Sequence, residues 1–217
     1  EGAARLEGAN AHHLARVLRA EPGQVYELAF DGRVYLARIT AVRPARVDFA
    51  VVEELPPPAP EREISLGVAL FKFDRFEWMV EKATELGVSR LTPLSTRRTD
   101  PKLAAAAPAR RARWQQIARG AAEQSRRAAW PEIAEPQTLA AWLALPHAGT
   151  RLLLSESPTA PLAAPAGGSL VMLAGPEGGL APEEAEAAAT SGFAPVSLGP
   201  RILRSETAVL AALARFG

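Results

Sequence analysis

The clearest apolar pattern in the chain is the unbroken run Leu170 to Ala174, which stops at Gly175-Pro176-Glu177-Gly178-Gly179. Bounded by turn residues, it predicts a parallel strand buried on both faces. Pro182 suits the first position of a following helix, and Glu183, Glu184 and Glu186 suit its positive end. A second strand is predicted over 194–198, ending in the tight turn Gly199-Pro200. Ser205 predicts the cap of a last helix, with Val209, Leu210, Leu213 and Phe216 at helical spacing. Nearer the start, VYELAF and RVYLARI alternate on either side of Asp31-Gly32, which predicts a hairpin. RVDFAVVEE predicts a further strand with Val47, Phe49 and Val51 on one face, and a short helix over 10–19 is expected to bury Leu14, Val17 and Leu18. Between these regions the pattern predicts a strand over 64–70 and a helix from about Arg75 with Phe76, Met79, Val80 and Ala83 inward. A short strand LTPL, a loop over 95–108 and a helix over 109–127 burying Trp114, Ile117 and Ala121 come next. Ile133, the group Leu139, Trp142 and Leu143, and the run 152–154 predict a strand, a short helix and a strand.

These elements sort into two parts. The stretch Leu55-Pro56-Pro57-Pro58-Ala59-Pro60 reads as a stiff linker, so a β-rich domain over 1–58 and an α/β domain over 61–217 are expected. Alternating strands and helices predict a parallel sheet with helices on both faces. In such sheets ligands bind outside the carboxyl ends of the strands, where both glycine turns fall. Either turn alone is compatible with an ordinary strand-to-helix connection. After the second, however, Arg201, Arg204, Ser205, Glu206 and Thr207 crowd into seven residues around Ile202 and Leu203, a polar density that a plain connection does not require.

Composition narrows the classes. Hydrophobic residues make up 48% of 217, enough for a real core, yet no long uninterrupted apolar stretch predicts a membrane span. Cys is absent, which excludes disulfides and thiolate metal sites. With three His, no metal site is expected, and a cytoplasmic location is the expectation. The 25 basic residues are 22 Arg and 3 Lys, a bias that phosphate recognition and a GC-rich genome would each produce. The net charge of +1 conceals an asymmetry: from Arg90 to Arg127 there are ten basic residues against two acidic, whereas 128–200 holds one basic against seven acidic. The basic block reads as a docking surface for a polyanion, with Arg97, Arg98, Arg126 and Arg127 as its candidate contacts. A solvated helix face gives the same pattern.

The segments GPEGGLAPEE and LGPRILRSETAVLAAL, with HHLARVLRAEPG, FDRFEWMVEKATELGV, LTPLSTRR and ARGAAEQSRRAAWPEI upstream, resemble the ribosomal RNA small subunit methyltransferase E family of the SPOUT superfamily. The resemblance spans nearly the whole chain, and ILRSETA is its most specific piece. It implies a SPOUT-type parallel sheet with helices on both faces and a C-terminal trefoil knot, although general topology rules predict no knot. It also implies a small N-terminal PUA-like β-barrel. The implied activity is methylation of N3 of a specific uridine in 16S ribosomal RNA of the small ribosomal subunit, with S-adenosyl-L-methionine as cofactor.

On that resemblance the cofactor site draws on three strand ends: Leu154, Ser155 and Glu156; Leu173, Ala174, Gly175, Gly178 and Gly179; and Leu198, Gly199, Ile202, Leu203, Thr207 and Ala208. Arg201 or Arg204 stabilises charge on the uracil, and Glu206 or Glu177 accepts its proton. A homodimer is expected, with the last helix apolar over most of its circumference and Leu213 on its outward side. Three other readings stay open. They are a SPOUT ribose 2′-O methyltransferase, a non-catalytic RNA-binding protein, and a dinucleotide-binding enzyme, against which the missing G-x-G-x-x-G counts.

Overall fold

The run Leu170–Ala174 lies in the middle of a parallel sheet and is buried at all five residues. The computed structural model describes residues 2–30, 33–56, 62–127, 129–156, 160–161 and 168–216. The Asp31-Gly32 turn and most of the proline-rich linker, 57–60, lie outside the described residues. The chain divides into two compact units: Glu1–Pro60 with Arg126–Ala129, and Glu61–Ser125 with Trp130–Gly217.

The first unit is an antiparallel sheet in the order β1-β4-β3-β2, built from β1 (Ala3–Glu7), β2 (Val25–Phe30), β3 (Arg33–Arg43) and β4 (Arg46–Leu55). Two register shifts in the β3–β4 ladder, at Leu36/Ala37 and Ile39/Ala41, mark bulges or irregularities of the kind that bend a sheet. Among the described residues β1 and β2 remain edges, so the sheet is a half-barrel rather than a closed barrel. Its core is Ala11, Leu14, Ala20, Ala37, Ile39, Val47 and Phe49. Helix α1 (Gly8–His12) continues as a π-helical turn over His13–Val17, where Leu18 N–H donates to the His13 carbonyl across five residues. That extra residue rotates the helix face. Leu14 is therefore buried while Val17 and Leu18, expected beside it, are exposed.

Among the described residues the second unit holds eight strands, all pairing in parallel. They are β5 (Ile64–Ala69), β6 (Arg90–Ser95), β7 (Glu132–Ile133), β8 (Gln137–Thr138), β9 (Thr150–Leu154), β10 (Ala160–Pro161), β11 (Leu170–Ala174) and β12 (Ala194–Ser197). Their order is β10-β12-β9-β11-β5-β6-β7, with β8 also on β6. Alternate residues of β11 feed two separate cores. Leu170, Met172 and Ala174 pack with Phe76, Met79, Val80, Trp114, Val209 and Leu213 from α2 (Phe73–Glu85), α3 (Pro101–Gln124) and α6 (Ser205–Phe216). Val171 and Leu173 pack with Trp142, Ala188 and Phe193 beside α4 (Leu139–Leu143) and α5 (Pro182–Thr190). Both faces of the sheet are thus covered, which explains why its strands read as continuous apolar runs.

Two helices differ from expectation. Helix α3 starts at Pro101, within the expected loop: the Asp100 carboxylate accepts from the Lys102 N–H at 2.8 Å and Pro101 occupies the first turn. The alanines that follow carry the helix through Pro108. In α6, Leu213 is fully buried, and the exposed residues are Thr207, Ala211, Ala214 and Arg215. The outward side of this helix is made of small residues, and Leu213 belongs to the core of the monomer.

Candidate active site

Strands β12, β9 and β11 are neighbours, and Leu154 at the end of β9 stands opposite Val196 on one side and Ala174 on the other. The residues that follow the three strands therefore gather at one edge of the sheet. Leu154, Ser155 and Glu156 from β9, Ala174, Gly175, Pro176 and Gly179 from β11, and Leu198, Gly199 and Arg201 from β12 line a single cleft. Leu203, from the loop before α6, closes it with Ser205 and Ala208 of α6, and Leu180 and Ala185 do so from the α5 side. Gly179 and Gly199 have φ of +71° and +115°, backbone that a side chain would strain. The Gly179 N–H donates to the Pro176 carbonyl at 2.8 Å, which tightens the first turn.

Ser205 does not act as the expected side-chain cap. Its hydroxyl donates to the Gly175 carbonyl at 3.0 Å, tying the start of α6 to the first glycine turn, while the Arg204 carbonyl accepts from the Ala208 N–H at 2.8 Å. The second glycine turn is held by Ser197, whose hydroxyl accepts from the Gly199 N–H at 3.3 Å.

A second cleft adjoins the first, with Leu203 as a wall of both. Its other walls are Lys72, Arg75, Glu177, Ile202 and Arg204. Arg75, in the first turn of α2, donates to the Glu177 carboxylate at 2.7 Å, and its Nε lies 3.9 Å from Oε1 of Glu206. Glu206 is only 7% exposed, and its Oε2 has no hydrogen-bond partner among the described residues. One guanidinium thus stands between both carboxylates expected to accept a proton. Lys72, Arg201 and Arg204 are exposed and make no ion pair among the described residues.

Several expected cofactor residues stand elsewhere. Leu173 is fully buried in the core. Gly178 and Thr207 are exposed and line neither cleft. Ile202, 81% exposed, lines the second cleft rather than the first. Arg201 lines the first cleft and Arg204 the second.

The four expected RNA contacts are shared between the two compact units. Arg126 and Arg127 belong to the first compact unit, and Arg97 and Arg98 to the second. The Arg98 guanidinium donates to the Gly178 carbonyl, and that of Arg97 pairs with Glu183. The Arg97 N–H also donates to Glu184 at 2.8 Å, and Glu184 in turn accepts from the Ala181 N–H at 3.0 Å. The β6–α3 loop is therefore fastened to the first glycine turn and to the start of α5. Much of the remaining basic block is also paired: Arg90 with Glu132, Arg110 and Arg113 with Glu77, Arg111 with Glu135, and Arg119 with Glu123. A charge count along the sequence overstates what this block offers a polyanion.

Comparison with known proteins decides the family. An RNA methyltransferase domain matches residues 57–217, and an RNA methyltransferase PUA domain matches 6–52. Ribosomal RNA small subunit methyltransferase E of Synechocystis sp. is 35% identical, over 99% of this chain and 73% of that protein. The chain belongs to the ribosomal RNA small subunit methyltransferase E family. The Bacillus subtilis protein of that name is 31% identical, over 96% of this chain and 87% of its own. The crystal structure of the Neisseria gonorrhoeae member, bound to S-adenosyl methionine, superposes with a TM-score of 0.84 at 32% identity, covering 99% of this chain and 90% of that one.

For a member of this family, sequence reasoning missed Lys72 and Arg75 as well as the cleft residues Pro176, Leu180, Ala185 and Ser205. A signal for the first two was available: both follow the carboxyl end of β5, on the edge of the sheet where ligands bind. The pairing of Arg75 with Glu177 and Glu206, more than a hundred residues away, has no local signature.

Proposed function

We propose that this chain methylates N3 of a specific uridine in 16S ribosomal RNA of the small ribosomal subunit, in the cytoplasm, with S-adenosyl-L-methionine as methyl donor. The observation that carries the reading is the pair of adjoining clefts at one sheet edge, which share Leu203. The first suits the cofactor. Leu154, Leu198 and Leu203 offer apolar walls to a flat adenine, and the backbone around Gly175, Gly179 and Gly199 offers polar groups to its edge and to the ribose. No cationic cradle for a phosphate is needed there, since this cofactor has none. When bound, it supplies a methyl group on a sulfonium sulfur.

The second cleft suits the uracil. Uracil N3 is a poor nucleophile until it loses its proton, and the resulting charge spreads onto the flanking carbonyl oxygens. Arg204, free of any ion pair among the described residues, is placed to stabilise that charge, and Arg201 holds the same role from the first cleft. Glu177 lines the second cleft and is half exposed, so it is the carboxylate that receives the N3 proton. Glu206 is sealed from solvent, and its part is to hold Arg75 from behind. As the N3–C bond forms, the bonding electrons of the S–C bond return to sulfur.

The reading extends to assembly and topology. A homodimer is supported by the small-residue side of α6, Thr207, Ala211 and Ala214, flanked by half-buried Leu210 and Phe216. A trefoil knot in the last segment is supported by the sheet order, in which β12 lies beyond β9 and not beside β11.

The test is transfer of labelled methyl to small subunits lacking the modification, with the product nucleoside identified by mass spectrometry. A methyl on N3 of uridine is the expected product. A methyl on ribose 2′-oxygen would refute the choice of atom, and no transfer would refute the enzyme.

A further inference from the structure

Ile202 is 81% exposed, the highest value among the exposed large hydrophobic residues of those described. A single exposed aliphatic side chain means little by itself. This one stands at the tip of a loop fixed at both ends, by the Ser197 to Gly199 bonds on one side and by the Ser205 hydroxyl on the Gly175 carbonyl on the other. Three cations without an ion pair among the described residues stand near it: Arg204 and Lys72, which line the second cleft with it, and Arg201, which precedes it in the loop. The paired arginines of α3 offer nothing comparable. An apolar tip ringed by free cations suits a nucleic-acid strand, with phosphates on the cations and a base against the tip. A second copy of the chain would face the same unpaired charges with no carboxylate in the loop except buried Glu206.

Resting on the proposed function, we infer that the second cleft receives a uridine turned out of its strand, that Ile202 fills the gap it leaves in the base stack, and that Lys72 holds an adjacent phosphate. N3 lies on the pairing edge of uracil and is hidden while the base is paired. An enzyme that modifies such an atom takes the base out of the stack or meets it already unstacked. Aliphatic wedges between base steps are a known way to keep a strand open. The place of Ile202 on the wall of the cleft, one residue from the Leu203 wall shared with the cofactor cleft, puts wedge and pocket side by side.

The test uses the full chain with unmethylated small ribosomal subunits. Ile202→Ala slows single-turnover methyl transfer by about tenfold, with cofactor and subunit affinity each within about twofold of wild type, and Ile202→Leu restores most of the rate. Lys72→Ala weakens subunit binding and lowers the slope of log affinity against log salt by about 0.7, the share of one phosphate on a single strand. A wild-type rate for Ile202→Ala, or an unchanged slope for Lys72→Ala, overturns the inference. So does a change of mass by light scattering in Ile202→Asp, which would place the side chain in a contact between copies. If the wild-type chain transfers no methyl at all, the proposed function fails, and the Lys72 slope alone decides whether this cleft holds RNA.

Discussion

Replacing Arg98 with Ala separates two roles for the same residue. In the basic block Arg98 is expected to hold RNA, but in the structure its guanidinium donates to the Gly178 carbonyl, and its Cδ and Nη1 lie 3.7 Å and 3.8 Å from the positions a side chain would begin at Gly178 and Gly179. Gly179 lines the first cleft, so on the proposed reading Arg98 braces a loop of the cofactor site from outside. The loop that carries Arg98 is itself stiff: the buried hydroxyls of Thr96 and Thr99 are 3.0 Å apart, and Asp100 caps α3. A charged hydrogen bond contributes about 1.5–3 kcal/mol when shielded from water. Arg98 is exposed, so solvent screening reduces this to about 1 kcal/mol. If the loop must be ordered to bind, that loss weakens cofactor affinity by about fivefold. Isothermal calorimetry with S-adenosylmethionine measures it, and Arg98→Lys, which keeps the charge but not the planar fork, recovers only part. The salt dependence of RNA binding stays at its wild-type slope. Unchanged cofactor affinity together with a flattened RNA slope would refute the bracing role and restore Arg98 to the RNA surface.

Four further outcomes are expected. Gly179→Ala, at φ +71°, costs about 1 kcal/mol and weakens the cofactor, whereas Gly178→Ala meets nothing closer than Arg98 at 3.7 Å and binds as wild type; parallel calorimetry on the two compares them. Leu213→Glu puts a charge in the monomer core, costs on the order of 4 kcal/mol and unfolds the chain. Ala211→Glu, on the exposed side of α6, keeps the helical circular dichroism and yields monomers by light scattering; an unchanged mass would remove this face from the dimer. Burial pushes His147 below its ordinary value of 6.5, against a ring nitrogen that donates to the Trp142 carbonyl at 2.9 Å. The unfolded chain therefore binds the proton more readily, and stability present above about pH 6.5 is lost as the pH falls below it. Thermal unfolding between pH 7.5 and 5 shows a drop in midpoint that is smaller in His147→Gln; equal drops would exclude His147 as the cause.

The parts of this molecule that could be read from the chain are those whose cause is local. Leu170 to Ala174 is apolar throughout because both faces of β11 are covered, and a strand buried on both faces can look no other way. The glycine turns were legible because φ of +71° and +115° demands glycine wherever such turns occur. The start of α3 was obscured: Asp100-Pro101 is a helix-start signal, but the Arg, Pro and Ala content of the next residues read as a loop, and Pro108 suggested a break that the alanine-rich helix absorbs. The π-helical turn that exposes Val17 and Leu18 has no counterpart in periodicity, because it is a change of period within a single turn.

The electrostatics were illegible for a different reason. A count of charges along the chain treats neighbours in sequence as neighbours in space, and a parallel sheet violates that assumption most strongly at its carboxyl edge. Segments from residues 72, 98, 155, 177 and 204 meet there, so a charge is cancelled or left free by partners that no local window contains. Arg97 is paired by Glu183 and Arg75 by Glu177, each across more than eighty residues, while Arg204, in a segment that looks no more basic, is left unpaired among the described residues. Pairing sets the working charge of each group. On the proposed reading it shifts the surface offered to RNA from the arginine-rich helix to the rim of the two clefts. Cations paired along α3 then hold the fold without competing for the strand, and Lys72, Arg201 and Arg204 at the rim draw the strand toward the proposed site of methyl transfer.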